Sequence, residues 1–225
     1  MNSYKYIITV MLLCGLASCG SDCKTEYYHS NHFIDCYRDW SSVDLQSHDV
    51  LYVCFDSKSS YYYSEEVQIS FKKNQSENDL EKFNKLAEKN NDNGYSYKAS
   101  YFPGEAFRTT LAKGFTDINI TSDRDYDNAH PVGASLNDIF IIATYSYAQF
   151  LNGSNKAVSD PDDRTLGMIY KPCNELSHDD LLLVSPDIIL IPTQTSSGKH
   201  NITVTLTDEN GEVHTATAEK DFSDR

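Results

Sequence analysis

The strongest constraint on this chain lies near its end. Asn201-Ile202-Thr203-Val204-Thr205-Leu206-Thr207 alternates polar and apolar residues without a break. Successive side chains of a strand point to opposite sides, so this period of two fits a strand with one buried face. Asp208-Glu209-Asn210-Gly211 supplies turn chemistry, and Glu212-Val213-His214-Thr215-Ala216-Thr217-Ala218 returns. The segment predicts a β-hairpin with Ile202, Val204 and Leu206 inward. A lone hairpin cannot bury its apolar face, so the rest of the chain must supply a covering layer.

Several upstream segments offer strands for that layer. Val50–Phe55 is a compact β-rich run, and Glu66–Lys72 alternates with Val67, Ile69 and Phe71 on one side. Phe115–Ser122 places Ile118 and Ile120 on one face, and Ile139–Tyr147 is β-branched and aromatic. Leu166–Tyr170, Leu181–Val184 and Ile188–Ile191 are short apolar pieces punctuated by Pro172, Pro186 and Pro192, which marks them as edges or strand ends. Asn152 to Arg164 reads as a surface loop. One segment reads as a helix. Ser76 can cap it, Leu80, Phe83, Leu86 and Ala87 form an apolar stripe, and acidic residues precede Lys82, Lys85 and Lys89 as the helix dipole favours. The fold class expected is mainly β, an antiparallel, immunoglobulin-like β-sandwich with one amphipathic helix, forming a single domain over residues 33–225.

The amino terminus has a different character. Lys5 precedes a short apolar run from Ile7 to Leu16, and Leu16-Ala17-Ser18-Cys19 follows. Charge, apolar run and small residues before a cysteine resemble the signal peptide and lipobox of bacterial lipoproteins. That resemblance implies cleavage after residue 18, acylation of Cys19, and a polar tether over residues 19–32. The partner it implies is a lipid bilayer, held by several acyl chains at about 0.8 kcal/mol per buried methylene. Gly20, not Asp, follows the cysteine, so the Asp-type inner-membrane retention signal is missing. Ser21-Asp22 resembles the acidic export signal of surface lipoproteins in Bacteroidetes-type bacteria. The expected location is the bacterial cell envelope, at the outer membrane. Ile118–Thr121, His130–Phe140 and the segment His200–Phe222 resemble a family of lipoproteins from such bacteria with no assigned activity. This second resemblance implies a location and no reaction.

An exported chain sits where disulfides form. Beyond Cys14 and Cys19, the cysteines are Cys23, Cys36, Cys54 and Cys173, which allow three pairings. The preferred one joins Cys23 to Cys36, pinning the tether, and Cys54 to Cys173, tying an early strand to a late segment. Among these four no C-x₂₋₄-C pair points to zinc.

The formal charge of −14 argues against a nucleic-acid partner, since phosphate binding needs a basic face. Asp123-Arg124-Asp125-Tyr126-Asp127 sets three carboxylates at alternate positions, as the opening of a calcium loop does. Asn128 and Ala134 stand where an EF-hand needs Gly and Glu, so Asp123, Asp125 and Asp127 are candidates only for a non-EF calcium site; a solvated acidic loop explains them better. Asp160, Asp162 and Asp163 form a second acidic cluster, and His178-Asp179-Asp180 could orient an imidazole. No G-x-S-x-G elbow, H-E-x-x-H helix, P-loop or G-x-G-x-x-G is present. Tyr61-Tyr62-Tyr63 is the best aromatic surface for a glycan or protein ligand. The reading is a non-catalytic, envelope-anchored binding module with no resident cofactor. The alternatives are a pilus or adhesin subunit and a calcium-assisted hydrolase. Labelled palmitate is expected to enter the wild-type protein and to be absent from Cys19→Ser; an intact Met1–Ser18 leader on the mature protein overturns the anchor.

Overall fold

The computed structural model describes residues 26–30, 32–62, 77–93, 95–99, 108–153 and 166–223. The terminal hairpin is present as read, with β10 (Lys199–Asp208) antiparallel to β11 (Val213–Asp221). Ile202, Val204 and Leu206 are buried to within 1% exposure. On its other side β10 pairs with β6 (Phe115–Ser122), completing a three-stranded sheet. The covering layer is a six-stranded sheet in the order β5 (Thr109–Leu111), β2 (Cys36–Ser47), β3 (Leu51–Tyr62), β9 (Ile188–Pro192), β7 (Phe140–Tyr145), β8 (Met168–Pro172). Ile118, Ile120, Val204 and Leu206 of the small sheet share one core with Leu45, Val53, Phe140, Ile142 and Leu190 of the large one. The architecture is a mainly β sandwich, as the alternation predicts. One pairing departs from the antiparallel expectation, because β5 runs parallel to β2.

The helix, α1 (Glu77–Lys89), also forms where expected. Its contact face is narrower than the sequence stripe: Phe83 and Ala87 are fully buried, while Leu80 is 40% exposed. These two residues join Phe33, Ile34, Tyr37, Leu183 and the short α2 (Ala148–Asn152) in a second, smaller core. Asn91 takes a left-handed conformation and turns the chain after α1. Asp92 is then buried, and its carboxylate accepts hydrogen bonds from Phe33 N at 2.6 Å and Ile34 N at 3.1 Å. The helix end thereby docks the segment entering β2.

Four expectations need correction or placement. Residues 26–30, expected within the tether, form β1 (Glu26–Ser30), paired antiparallel with β4 (Tyr95–Ala99). Leu181–Val184 is not a strand: a 3-10 turn spans Asp179–Leu181, and Val184 makes a single bridge to Ser146. The run Ile139–Tyr147 is a strand only over β7, after which the chain enters α2. The strand expected at 66–72, the acidic cluster at 160–163, Cys19 and Cys23 lie outside the described residues.

The disulfide expected between Cys54 and Cys173 is absent. Leu51 and Val53 face the inter-sheet core, so Cys54 between Val53 and Phe55 points to the other face, beside exposed Tyr52. Cys173 lies in the core itself, just past β8. β9 and β7 separate β3 from β8, which is three strand spacings of ~4.8 Å and beyond the reach of a disulfide. Burial pushes the Cys173 thiol up to about 12, so it remains a neutral packing group.

The hairpin turn is held by one buried carboxylate. Asp208 Oδ1 accepts from Asn210 N at 2.8 Å and Glu212 N at 3.0 Å. Its Oδ2 accepts from Lys113 Nζ at 3.0 Å and lies 3.3 Å from His214 Nε2. Burial by itself raises the carboxyl pKa, but these hydrogen bonds outweigh it and bring it to about 2. Because the folded-state value is depressed, this stabilisation is complete above the unfolded value of 3.8 and is lost as pH falls through about 2. Asp208→Asn is therefore expected to lower unfolding free energy by roughly 2–3 kcal/mol at neutral pH. The gap to wild type should shrink toward zero near pH 2, measured by denaturant titration at both pH values.

Candidate functional site

A cleft of about 270 Å³ opens where β2, β5, β7 and the start of β9 converge. Arg38 comes from β2, Thr109 from β5 and Tyr145 from the end of β7, with Tyr147 just beyond it. Ser185, Pro186 and Asp187 close it along the segment that leads into β9. The wall is fixed by main-chain bonds. Ser185 N donates to Tyr145 O at 2.8 Å, Thr144 Oγ1 donates to Asp187 O at 2.9 Å, and Asp187 N donates to Ser185 Oγ at 3.2 Å. On the other side, Arg38 O accepts from Ala112 N at 2.9 Å. Strand parity explains why Tyr145 is available here: Phe140, Ile142 and Thr144 are buried on the core side, so Tyr145 faces away.

The guanidinium of Arg38 is the unusual group. Its Nε is buried and has no hydrogen-bond partner. Among the described residues no carboxylate pairs with Arg38. A buried, unmatched donor costs ~1–3 kcal/mol, more when charged. Asp187 stands exposed at the rim, and its carboxylate also makes no hydrogen bond or ion pair with the described residues. Burial pushes the Tyr147 hydroxyl up to about 12, so it stays protonated. The cleft thus offers a guanidinium fork, a rim carboxylate and two tyrosine rings.

Other polar clusters are already satisfied from within. A second cleft, of about 320 Å³, is lined by Ser146, Gln149, Phe150, Gly167, Met168 and Asp180. Its only charged group, Asp180, accepts from Lys171 Nζ at 2.6 Å, Ser177 N at 2.7 Å, Ser177 Oγ at 2.6 Å and Gln149 Nε2 at 3.0 Å. Asp180 is therefore turned away from exposed His178, and the pairing expected in His178-Asp179-Asp180 does not form. His200, fully buried, lies between Ser122 Oγ at 2.8 Å and Ser196 Oγ at 2.9 Å. Ser196 spends its proton on Tyr126 O at 2.6 Å, so Nε2 of His200 carries the hydrogen and Ser122 donates to Nδ1. Tyr126 and Phe222 flank the ring, and Ser122 is buried, so this serine–histidine contact is packing chemistry. Asp208, Glu212 and His214 bring ligating atoms within 4.8 Å of one another, but the Lys113 ammonium already sits on Asp208.

The three aspartates read as a calcium candidate are not brought together. Asp123 accepts from Asn201 N and Nδ2, Asp125 from Val132 N, and Asp127 from Ala129 N and His130 N. Each ties down the loop after β6. Tyr61 and Tyr62 continue β3, opposite Tyr37 and Cys36 of β2, and Tyr63 lies outside the described residues. The sequence reading missed Arg38, because an isolated arginine has no spacing to betray it. No family model matches the chain, and no curated protein or solved structure matches it.

The same loop holds one clamp. His130 Nδ1 contacts Asp127 Oδ1 at 2.8 Å and Nε2 contacts Asp138 Oδ1 at 3.1 Å. Burial disfavours the charged ring, but the hydrogen bonds and charges of Asp127 and Asp138 outweigh it and raise its pKa. A raised value means the clamp's stabilisation is complete below 6.5 and is lost as pH rises through the folded-state value. Amide protection factors over residues 127–138 are expected to fall between pH 6 and pH 9 in wild type. In His130→Ala they should be low and flat.

Proposed function

We propose that the protein is a lipid-anchored, non-catalytic binding module of the bacterial cell envelope, and that the Arg38 cleft is its ligand site. The observation that carries this reading is the Arg38 guanidinium, without a carboxylate partner among the described residues, in a cleft whose main chain is held by hydrogen bonds. Folded proteins pair buried charged groups, so a guanidinium that lines a cleft with no carboxylate partner among the described residues is one that a ligand can match. Leu16-Ala17-Ser18-Cys19 supports the anchor, and no helix among the described residues is long and apolar enough to cross a membrane. The resemblance of 118–121, 130–140 and 200–222 to envelope lipoproteins supports the location.

A catalytic reading has less support. A hydrolase needs a nucleophile or a carboxylate pair open to substrate, and the carboxylates of the acidic loop are spent on main-chain amides. A polymer subunit that donates its terminal strand also has less support, because β11 is paired along its length with β10.

The test uses the full-length protein in detergent, screened by thermal shift against small metabolites and a glycan array. Ligands of the cleft should raise the melting temperature of wild type. Arg38→Met should weaken them by about tenfold or more, the loss of a charge-assisted hydrogen bond. Hits that Arg38→Met leaves unchanged, or that the protein hydrolyses, overturn the reading.

A further inference from the structure

We infer that the Arg38 cleft takes a small zwitterion, a carboxylate and an ammonium on one compact molecule such as a free α-amino acid. This inference rests on the cleft being the ligand site and goes on to name the ligand's chemistry.

Three observations carry it. First, the cleft contains one charge of each sign, Arg38 and Asp187, and neither is matched by the described residues. Arg38 presents donors in a fork that suits a carboxylate, and Asp187 at the rim is an acceptor that suits an ammonium. An ion pair between the two would satisfy both, yet they remain apart while the Thr144 and Ser185 hydroxyls hold the main chain of Asp187. A ligand that bridges them satisfies both at once.

Second, the field of the whole molecule selects against anions. With a formal charge of −14, the protein repels a phosphate or a simple carboxylate before contact. Asp187 repeats that repulsion at close range. A zwitterion has no net charge, so it meets neither barrier and still presents a carboxylate to Arg38. Third, about 270 Å³ lies just below the range of clefts that hold drug-sized ligands, ~300–1,000 Å³, and suits a molecule of metabolite size. The Tyr145 and Tyr147 rings supply apolar wall for a side chain.

Isothermal titration of the full-length protein in detergent tests this with a panel of the common L-α-amino acids, the matching amines and carboxylic acids, inorganic phosphate and glucuronate. At least one amino acid is expected to bind, while its amine and its deaminated acid bind at least tenfold more weakly. Asp187→Asn should lose at least tenfold for the amino acid, and Arg38→Lys should lose less than Arg38→Met. The analogue series uses wild type alone, so it stands even where a variant folds poorly. Glucuronate or phosphate binding that Arg38→Met abolishes and Asp187→Asn leaves unchanged or strengthens overturns the zwitterion while leaving the cleft as the site. Amino-acid binding that both variants leave unchanged overturns the cleft as well, and no amino-acid binding overturns the zwitterion.

Discussion

Two neighbouring carboxylates, Asp208 and Glu209, tie the two layers of this sandwich to the helix beside them. Asp208 closes the hairpin turn through two main-chain amides and draws Lys113 onto the turn from the loop between β5 and β6. The neighbouring residue extends the tie. Glu209 Oε2 accepts from Gly114 N at 2.8 Å, and Lys89 at the end of α1 donates to Glu209 at 3.1 Å. Trp40 of β2 completes the joint, donating from Nε1 to Lys113 O at 3.1 Å with the Lys113 ammonium over its ring and His214 against its face. Turn, loop, helix end and large sheet therefore meet at one cluster, buried at Asp208 and exposed at Lys89. An Asp at the end of an alternating strand reads as turn chemistry alone, and its cost of burial is met only because Lys113 joins the turn amides as a donor.

How much of this was legible follows from which forces are local. The hairpin and α1 are written in their own periodicity, so short windows reveal them. β2 is not. The pairing of Cys36–Ser47 with β3 shifts register between Asp39 and Trp40, where β3 has the extra residue, and between Trp40 and Ser42, where Ser41 is the extra residue that breaks the alternation of β2. Trp40, Val43 and Leu45 face the core at uneven spacing, so no period of two remains to be read. Arg38 sits directly before those shifts, and the strand that places it in the cleft was invisible for the same reason. Cysteine pairing failed for a related cause. It depends on face and strand order, and Cys54 and Cys173 differ in both.

The acidic loop shows how one motif serves two chemistries. D-x-D-x-D places oxygens at alternate positions, which suits a cation when the backbone curls around it. Here the backbone turns its own amides toward those oxygens. Asp125 and Asp127 bind main-chain N–H groups, and His130 bridges Asp127 and Asp138. Composition cannot separate the two outcomes, since the same carboxylates accept either partner. What separates them is the histidine three residues on and an aspartate eight further, a relationship set by the folded loop.

The loop's second effect is on association between chains. β6 is one of the two outer strands of the small sheet, and an open strand edge invites pairing with another molecule. Leu136 N donates to Ile120 O, Gly133 N to Ser122 O, and the Asn137 side chain both donates to Ile118 O and accepts from Ile120 N. The loop thereby occupies the edge that a second chain would use. On the large sheet, β5 has only three residues and β8 ends in Pro172, which lacks a donor. Strand addition along β6 would have to displace side-chain and main-chain bonds already made, at a cost of ~1 kcal/mol or more for each. The loop whose aspartates look like a cation site in the sequence thus acts, through Asn137 and its main chain, as the stop on the sheet, while Arg38 in the cleft has no carboxylate partner among the described residues.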